Sequence, residues 1–182
     1  MKGFIRAETR FSLCGLSCAL CSMHLGGYCP GCGGGAGNQS CAIAKCSLEH
    51  GNLQFCWECP EYPCPRYKGF DDGDSFVSHR NRQQDIARIR ELGLDAFLAQ
   101  LEKKRTILDE LLARCNDGRR KTLFHTAGYL LPLEDLCSVM AALGNRPELE
   151  EQTVKERALA AVELLQEAAD RRNICLTVSY TH

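Results

Sequence analysis

At 182 residues the chain has room for one ordinary domain and one small one, since domains run roughly 100 to 200 residues and metal-stapled ones are shorter. Lysine and arginine number 22 against 23 aspartates and glutamates, so no net positive field gathers a polyanion and nucleic acid is not the expected partner. No window approaches the roughly 18 uninterrupted apolar residues of a membrane span, and the opening MKGFIRAETRF lacks the apolar core of a signal peptide, so the expected setting is cytoplasmic, away from membranes.

The first predicted element is a cysteine field. Thirteen cysteines are present, and ten of them, Cys14, Cys18, Cys21, Cys29, Cys32, Cys41, Cys46, Cys56, Cys59 and Cys64, lie between positions 14 and 64. In a reducing compartment such thiols stay unpaired, and clustered free thiols bind metal rather than form disulfides. The spacing reads C-x3-C-x2-C, C-x2-C, C-x4-C and C-x2-C-x4-C. Two intervening residues let a tight turn aim both sulfurs at one ion while the turn amides face the thiolates. Cys29-Pro30-Gly31-Cys32-Gly33 is the most knuckle-like of these, because proline fixes one torsion and the glycines accept positive φ.

Between Cys14 and Cys64 the large aliphatic residues are only Leu16, Leu20, Leu25, Ile43, Leu48 and Leu53. A segment so poor in apolar area needs an outside source of folding free energy, and a structural zinc site supplies on the order of 10 kcal/mol. The expectation is two four-cysteine sites holding about two zinc ions, with two 4Fe-4S clusters as the alternative. Both choices carry a net charge of about −2 per site, so charge does not separate them. The glycine after Cys32 favours zinc, whereas the Cys14 loop resembles one that leaves an iron of a cubane open, and proline follows Cys29, Cys59 and Cys64. A radical SAM reading of Cys14-x3-Cys18-x2-Cys21 is rejected: no βα repeat follows, and Leu20 stands where those enzymes usually carry an aromatic.

His24 and His50 fall inside the field and are expected as surface residues rather than ligands. Trp57, Tyr62, Tyr67 and Phe70 surround the last cysteines and are expected to pack rather than to stack on bases.

The next segment, Asp71-Asp72-Gly73-Asp74-Ser75, reads as a linker. Beyond it the pattern turns helical. Ile86, Ile89 and Leu92 mark a helix from Arg82 to Gly93, and Phe97, Leu98, Leu101, Ile107, Leu108, Leu111 and Leu112 mark a longer one from Leu94 to Cys115. Asn116-Asp117-Gly118 breaks the pattern, and Asp117 to Lys121 gathers cations at a helix start where an anionic small molecule could sit. Helices follow over Lys121 to Leu131 and Leu133 to Leu143, with Pro132 between them. His125 on the first of these reads as structural, because no nucleophile or paired carboxylate stands at a convincing spacing, and an enzyme is not the expected reading. A last helix is predicted from Glu148 to Arg172 on the stripe Leu149, Val154, Ala158, Val162, Leu165 and Ala169. The alternating tail Ile174 to Tyr180 is a candidate strand. Cys115, Cys137 and Cys175 read as buried thiols.

The expected fold is therefore a small metal-stapled Cys-rich domain over 1–70, irregular with knuckles and short helices or strands, a linker over 71–80, and a small mainly α-helical domain over 81–182. Cys14-Gly15-Leu16-x-Cys18-x2-Cys21, Cys29-x2-Cys32, Cys41-x-Ile43-x2-Cys46 and Cys56-x2-Cys59-x-Glu61-Tyr62-Pro63-Cys64 together resemble the prokaryotic cysteine-rich family known as domain of unknown function 3795. The resemblance covers about the first 70 residues, and Asp117-Gly118-Arg119 and Leu131-Pro132-Leu133-Glu134 are similar to elements of longer members. It implies a soluble metal-binding protein of anaerobic bacteria and archaea, with no reaction attached. The functional expectation is a metal-binding structural or interaction module; the alternatives are an iron-sulfur protein in a redox or catalytic role and zinc-ribbon nucleic-acid binding.

Overall fold

Periodic apolar residues become helices in this chain almost wherever they occur. The computed structural model describes residues 3–35 and 41–178. Seven α-helices lie among them: α1 (Ser22–Leu25), α2 (Ala42–Glu49), α3 (Arg82–Leu92), α4 (Leu94–Cys115), α5 (Lys121–Leu130), α6 (Leu133–Gly144) and α7 (Val154–Arg171). No regular strand occurs among the described residues, and no described helix is long and apolar enough to cross a membrane. The chain divides into two units, one over described residues 3–35 and 41–99, the other over Gln100–Val178.

The second unit is helical because its stripes are continuous. Along α7, Ala158, Ala161, Leu165, Ala168 and Ala169 fall on one face and are fully buried. Four of the five are alanine, which lets neighbouring backbones approach closely, and α7 packs on both α6 and α5. Leu136, Val139 and Leu143 of α6 and Phe124, Ala127 and Leu130 of α5 complete this core. Replacing Leu165 by alanine removes one of its few large side chains, and denaturant unfolding is expected to show a loss of about 3 kcal/mol.

Three expectations about this unit are corrected. The helix expected from Glu148 to Arg172 begins only at Val154: Pro147–Glu151 forms a separate 3-10 turn, and Thr153 caps α7 by accepting the Glu156 amide while Glu156 accepts the Thr153 amide. That cap leaves Val154 at an exposed first turn instead of on the buried stripe. Cys137 and Cys175 are exposed and only Cys115 is buried, because Cys137 lies one residue, and so about 100°, off the inward row of α6, while Cys175 follows the end of α7 with its sulfur 2.9 Å from the Thr177 hydroxyl. Residues 174–178 form no strand, and Ser179 and Tyr180 lie outside the described residues.

The first unit draws its core from residues outside the cysteine field as well as within it. Phe4, Leu13, Ile43 and Ala44 form a buried cluster against which Cys14, Cys32, Cys56, Tyr67 and Phe70 pack. Phe11 is fully buried and touches three rings: Phe97 edge-on at 5.3 Å, Trp57 at 6.0 Å and Phe55 at 6.4 Å. Ile86 and Ile89 of α3 and Phe97 and Leu98 of α4 are buried in the same unit. The apolar area judged too small between Cys14 and Cys64 is thus supplemented from Phe4, Phe11 and Leu13 on one side and α3 and early α4 on the other. Residues 71–80, expected as a linker, belong to this unit as a hydrogen-bonded turn. The buried carboxylate of Asp74 accepts from the Ser78 hydroxyl and the His79 amide, both at 2.8 Å, and the His79 ring stacks on Phe70.

Candidate metal centre

The turn at Ser12 to Leu16 is closed by its own polar groups. Ser12 donates its amide to the Leu16 carbonyl at 2.8 Å, its hydroxyl accepts the Leu16 amide at 2.6 Å, and the same hydroxyl lies 3.1 Å from the Cys14 sulfur. Gly15 sits at φ +101° with α3 so close that a Cβ would come within 2.6 Å of Ile86, so only glycine fits. The 3-10 turn Cys18–Leu20 then presents Cys18 and Cys21 at its two ends. Cys32 joins them from the glycine-rich segment, its sulfur accepting the Leu13 amide at 3.4 Å.

The electrostatics of these thiols show that they share surroundings. Burial pushes Cys14 up to about 12; the Ser12 hydroxyl opposes this, and Cys32, Cys41 and Cys56 add to it. Cys18 is raised by burial and then by Cys32, Cys14 and Cys21, against a hydrogen bond from the Cys32 amide. Cys32 is raised by burial, against the Leu13 amide and Arg6. Without a cation these groups are neutral thiols; as a set of thiolates they would repel one another in a dry setting.

Arg6 is buried beside them, although nothing in its sequence context marks it out. Its guanidinium donates to the carbonyls of Gln54 at 2.7 Å, Phe11 at 3.0 Å and Cys32 at 3.0 Å and lies over the Phe55 ring at 4.9 Å. All three acceptors are neutral, and one terminal nitrogen, Nη2, is buried without a hydrogen-bond partner among the described residues. The Glu8 carboxylate feels the Arg6 charge, and Cys32, whose thiol Arg6 pulls down, would supply a second anion as a thiolate. Gly33 makes room for this arrangement: a Cβ there would stand 2.9 Å from the Arg6 amide, which itself donates to the Gly33 carbonyl at 3.2 Å.

A second set gathers from α2 and two later turns. Cys46 on α2, Cys56 and Cys59 on either end of the 3-10 turn Cys56–Glu58, and Cys64 just before the turn Pro65–Tyr67 line one cavity of about 30 Å³. The rest of its wall is chiefly apolar, from Leu13, Ile43 and Leu53 together with the rings of Tyr62 and Tyr67. Glu58 locks the CxxC turn by accepting the amides of Gln54 and Phe55 at 3.0 and 3.1 Å, and the Cys56 amide donates to the Leu13 carbonyl at 2.9 Å, tying this set to the first. Burial pushes Cys56 up to about 11, opposed by the Tyr67 hydroxyl beside it and reinforced by Cys64, Cys46 and Cys32.

Of the ten expected ligands, Cys46, Cys56, Cys59 and Cys64 line one cavity, while Cys14, Cys18, Cys21, Cys32 and Cys41 act on one another through their charges. Cys41, exposed before α2, acts on Cys14 and Cys32, and Cys29 meets the His24 ring through its carbonyl at 2.9 Å. His50 is exposed, as expected, but lines the second cavity with Nδ1 3.6 Å from the Cys46 sulfur. Among the described residues no three cysteine, histidine, aspartate or glutamate side chains converge on a single point as one bound ion would require.

The two sets share a supporting residue that sequence reasoning also missed. Arg82, at the start of α3, is 2 % exposed and pairs through both Nε and Nη2 with the Asp71 carboxylate, each contact 2.6 Å. Its remaining Nη1 reaches the Cys14 carbonyl and the Tyr62 hydroxyl, both at 3.3 Å, and the guanidinium lies over Tyr67 at 4.6 Å and Phe70 at 5.3 Å. The last cysteine group's aromatics pack, as expected, with Tyr62, Tyr67 and Phe70 meeting edge to face in sequence. In the loop Asp117 to Lys121, Asp117 accepts the amides of Arg119 and Arg120 at 3.0 and 3.2 Å and pairs with the Arg120 guanidinium.

No family model, curated protein or solved structure matches this chain.

Proposed function

We propose that the first unit is a metal-binding module with two thiolate centres, one drawing on Cys14, Cys18, Cys21 and Cys32 and the other on Cys46, Cys56, Cys59 and Cys64, and that its role is structural or interactive. The single observation that carries this reading is the convergence of Cys46, Cys56, Cys59 and Cys64, from α2 and two later turns, on one cavity. Evolution of a plain apolar core has no use for such convergence, whereas four thiolates are the donor set of zinc and of iron-sulfur clusters. The buried Arg6 offsets part of the negative charge that the first centre acquires on binding. Membership of the cysteine-rich prokaryotic family belongs to the same reading. Cys41, which acts on Cys14 and Cys32, is a further candidate ligand of the first centre.

Elemental analysis of the full chain, purified without oxygen, tests this. The expected result is bound zinc or iron in two independent portions: Cys18→Ser with Cys21→Ser removes one portion, and Cys56→Ser with Cys59→Ser removes the other. A wild-type chain that is folded and carries no metal overturns the proposal.

A further inference from the structure

The surroundings of the second set bear on what it holds. Its four cysteines stand around a space instead of closing on a point. A single zinc ion at about 2.3 Å from each sulfur would draw the four sulfurs to about 3.8 Å from one another and leave no void between them. A cubane cluster brings its own sulfides, so its four cysteine sulfurs sit at the corners of a much wider tetrahedron with inorganic atoms in the middle. The wall around the space is largely aliphatic and aromatic, the dry lining that keeps water from cluster sulfides.

Two donors flank the space, each beside one of its thiols. The Tyr67 hydroxyl is buried, forms no regular hydrogen bond among the described residues, and lies beside Cys56. The Arg66 guanidinium lies beside Cys46 on the exposed rim. A cluster with four thiolates carries a charge of about −2 and presents several sulfur acceptors, which is what a buried hydroxyl and a rim cation would meet. The sequence adds a compatible detail, since Pro60 follows Cys59 and Pro65 follows Cys64, as proline follows the last ligand in ferredoxin-type runs.

We infer that Cys46, Cys56, Cys59 and Cys64 hold one 4Fe-4S cluster, with the Tyr67 hydroxyl and the Arg66 guanidinium donating to its sulfurs. This rests on the reading that these thiols bind metal and specifies what they bind. All four irons are capped by cysteine, so the cluster has no open iron for a substrate. Tyr67 is a tuning residue: its buried hydroxyl lies beside Cys56, and a donor there stabilises the more negative, reduced state.

The test uses the full chain expressed and purified without oxygen, with iron, acid-labile sulfide and zinc measured alongside the visible spectrum. The expected result is a brown protein whose second portion amounts to about four irons and four sulfides and is lost in Cys56→Ser with Cys59→Ser but kept in Cys18→Ser with Cys21→Ser. Tyr67→Phe is expected to keep iron and colour while moving the cluster's midpoint potential to a more negative value. One zinc at this site, without sulfide, overturns the cluster and leaves the metal-binding reading standing; no metal at either site overturns both. Iron and sulfide unaffected by the Cys56 and Cys59 substitutions also overturn the assignment. A potential that does not move in Tyr67→Phe removes the hydroxyl from the sulfur shell.

Discussion

Treating the full chain with a strong chelator under reducing conditions is expected, on the metal-binding reading proposed above, to unfold the first unit while residues 100–178 keep their structure. Hydrogen exchange followed by mass spectrometry reads this directly: amides in Phe4 to Phe55, α2 and the turns to Tyr67 should lose protection, and those of α5, α6 and α7 should not. The magnitude follows from the two kinds of core. The second unit buries a continuous set of leucines, alanines and Phe124, and owes nothing to the thiols. The first unit has Phe4, Phe11, Leu13, Ile43 and Phe55 buried around half-buried cysteines, and a thiolate site of the zinc type contributes on the order of 10 kcal/mol to such a small fold. That is comparable to the whole stability of an ordinary domain, about 5 to 15 kcal/mol. Unchanged protection in the first unit after complete metal removal would show that its apolar core suffices.

The second large effect is expected at Asp71. Asp71→Asn keeps the shape of the side chain but leaves the buried guanidinium of Arg82 without its counter-charge, and the cost is about 3 to 5 kcal/mol of first-unit stability. The pH dependence gives a sharper check than the size alone. Burial by itself would raise the Asp71 carboxyl, but hydrogen bonds from Arg82 and Gln83, and then the Arg82 charge, hold it below its ordinary range. A lowered folded-state value means that the contribution is complete above the unfolded aspartate value of about 3.9 and is lost as pH falls through the lower folded one. Denaturation curves at a series of pH values should therefore show the gap between wild type and Asp71→Asn narrowing below about pH 4 and constant at neutral pH. A gap that persists unchanged in acid would mean that the carboxylate's charge is not what Arg82 needs.

Much of the helical half was legible because helical periodicity is a local property. The observed α3, α4, α5 and α6 lie within one residue of the stretches on which Ile86, Leu108, Phe124 and Leu136 recur. Where the reading failed, a local polar signal outranked the stripe: Thr153 and Glu156 cap each other and start α7 late, and nothing in the apolar spacing of Leu149 and Val154 registers a cap. The ten cysteines were legible as a class, since residue type and C-x2-C spacing are written in the sequence. Their partition into sets was not, because it depends on Leu13 pairing with Cys56 and on where Cys32 returns to the Ser12 turn, both of which are long-range contacts.

The two buried arginines were beyond sequence reasoning for a different reason. Arg6 and Arg82 resemble any surface cation in composition, and what buries them is the supply of acceptors around them. For Arg6 these are three carbonyls brought from Phe11, Cys32 and Gln54; for Arg82, a carboxylate eleven positions earlier that reaches it through a turn held by Asp74. The same blindness applied to Phe4 and Phe11, which precede the cysteine field and yet supply its apolar floor.

The face-to-face stack of Trp57 on Phe55, with ring centres 4.2 Å apart and planes within 9°, places the chain's single indole between Cys56 and Glu58. Its fluorescence consequently reports on the thiol-bearing unit alone, with the helical unit optically silent at indole wavelengths. One emission trace recorded during metal loading or denaturation follows that unit by itself, with no label to attach.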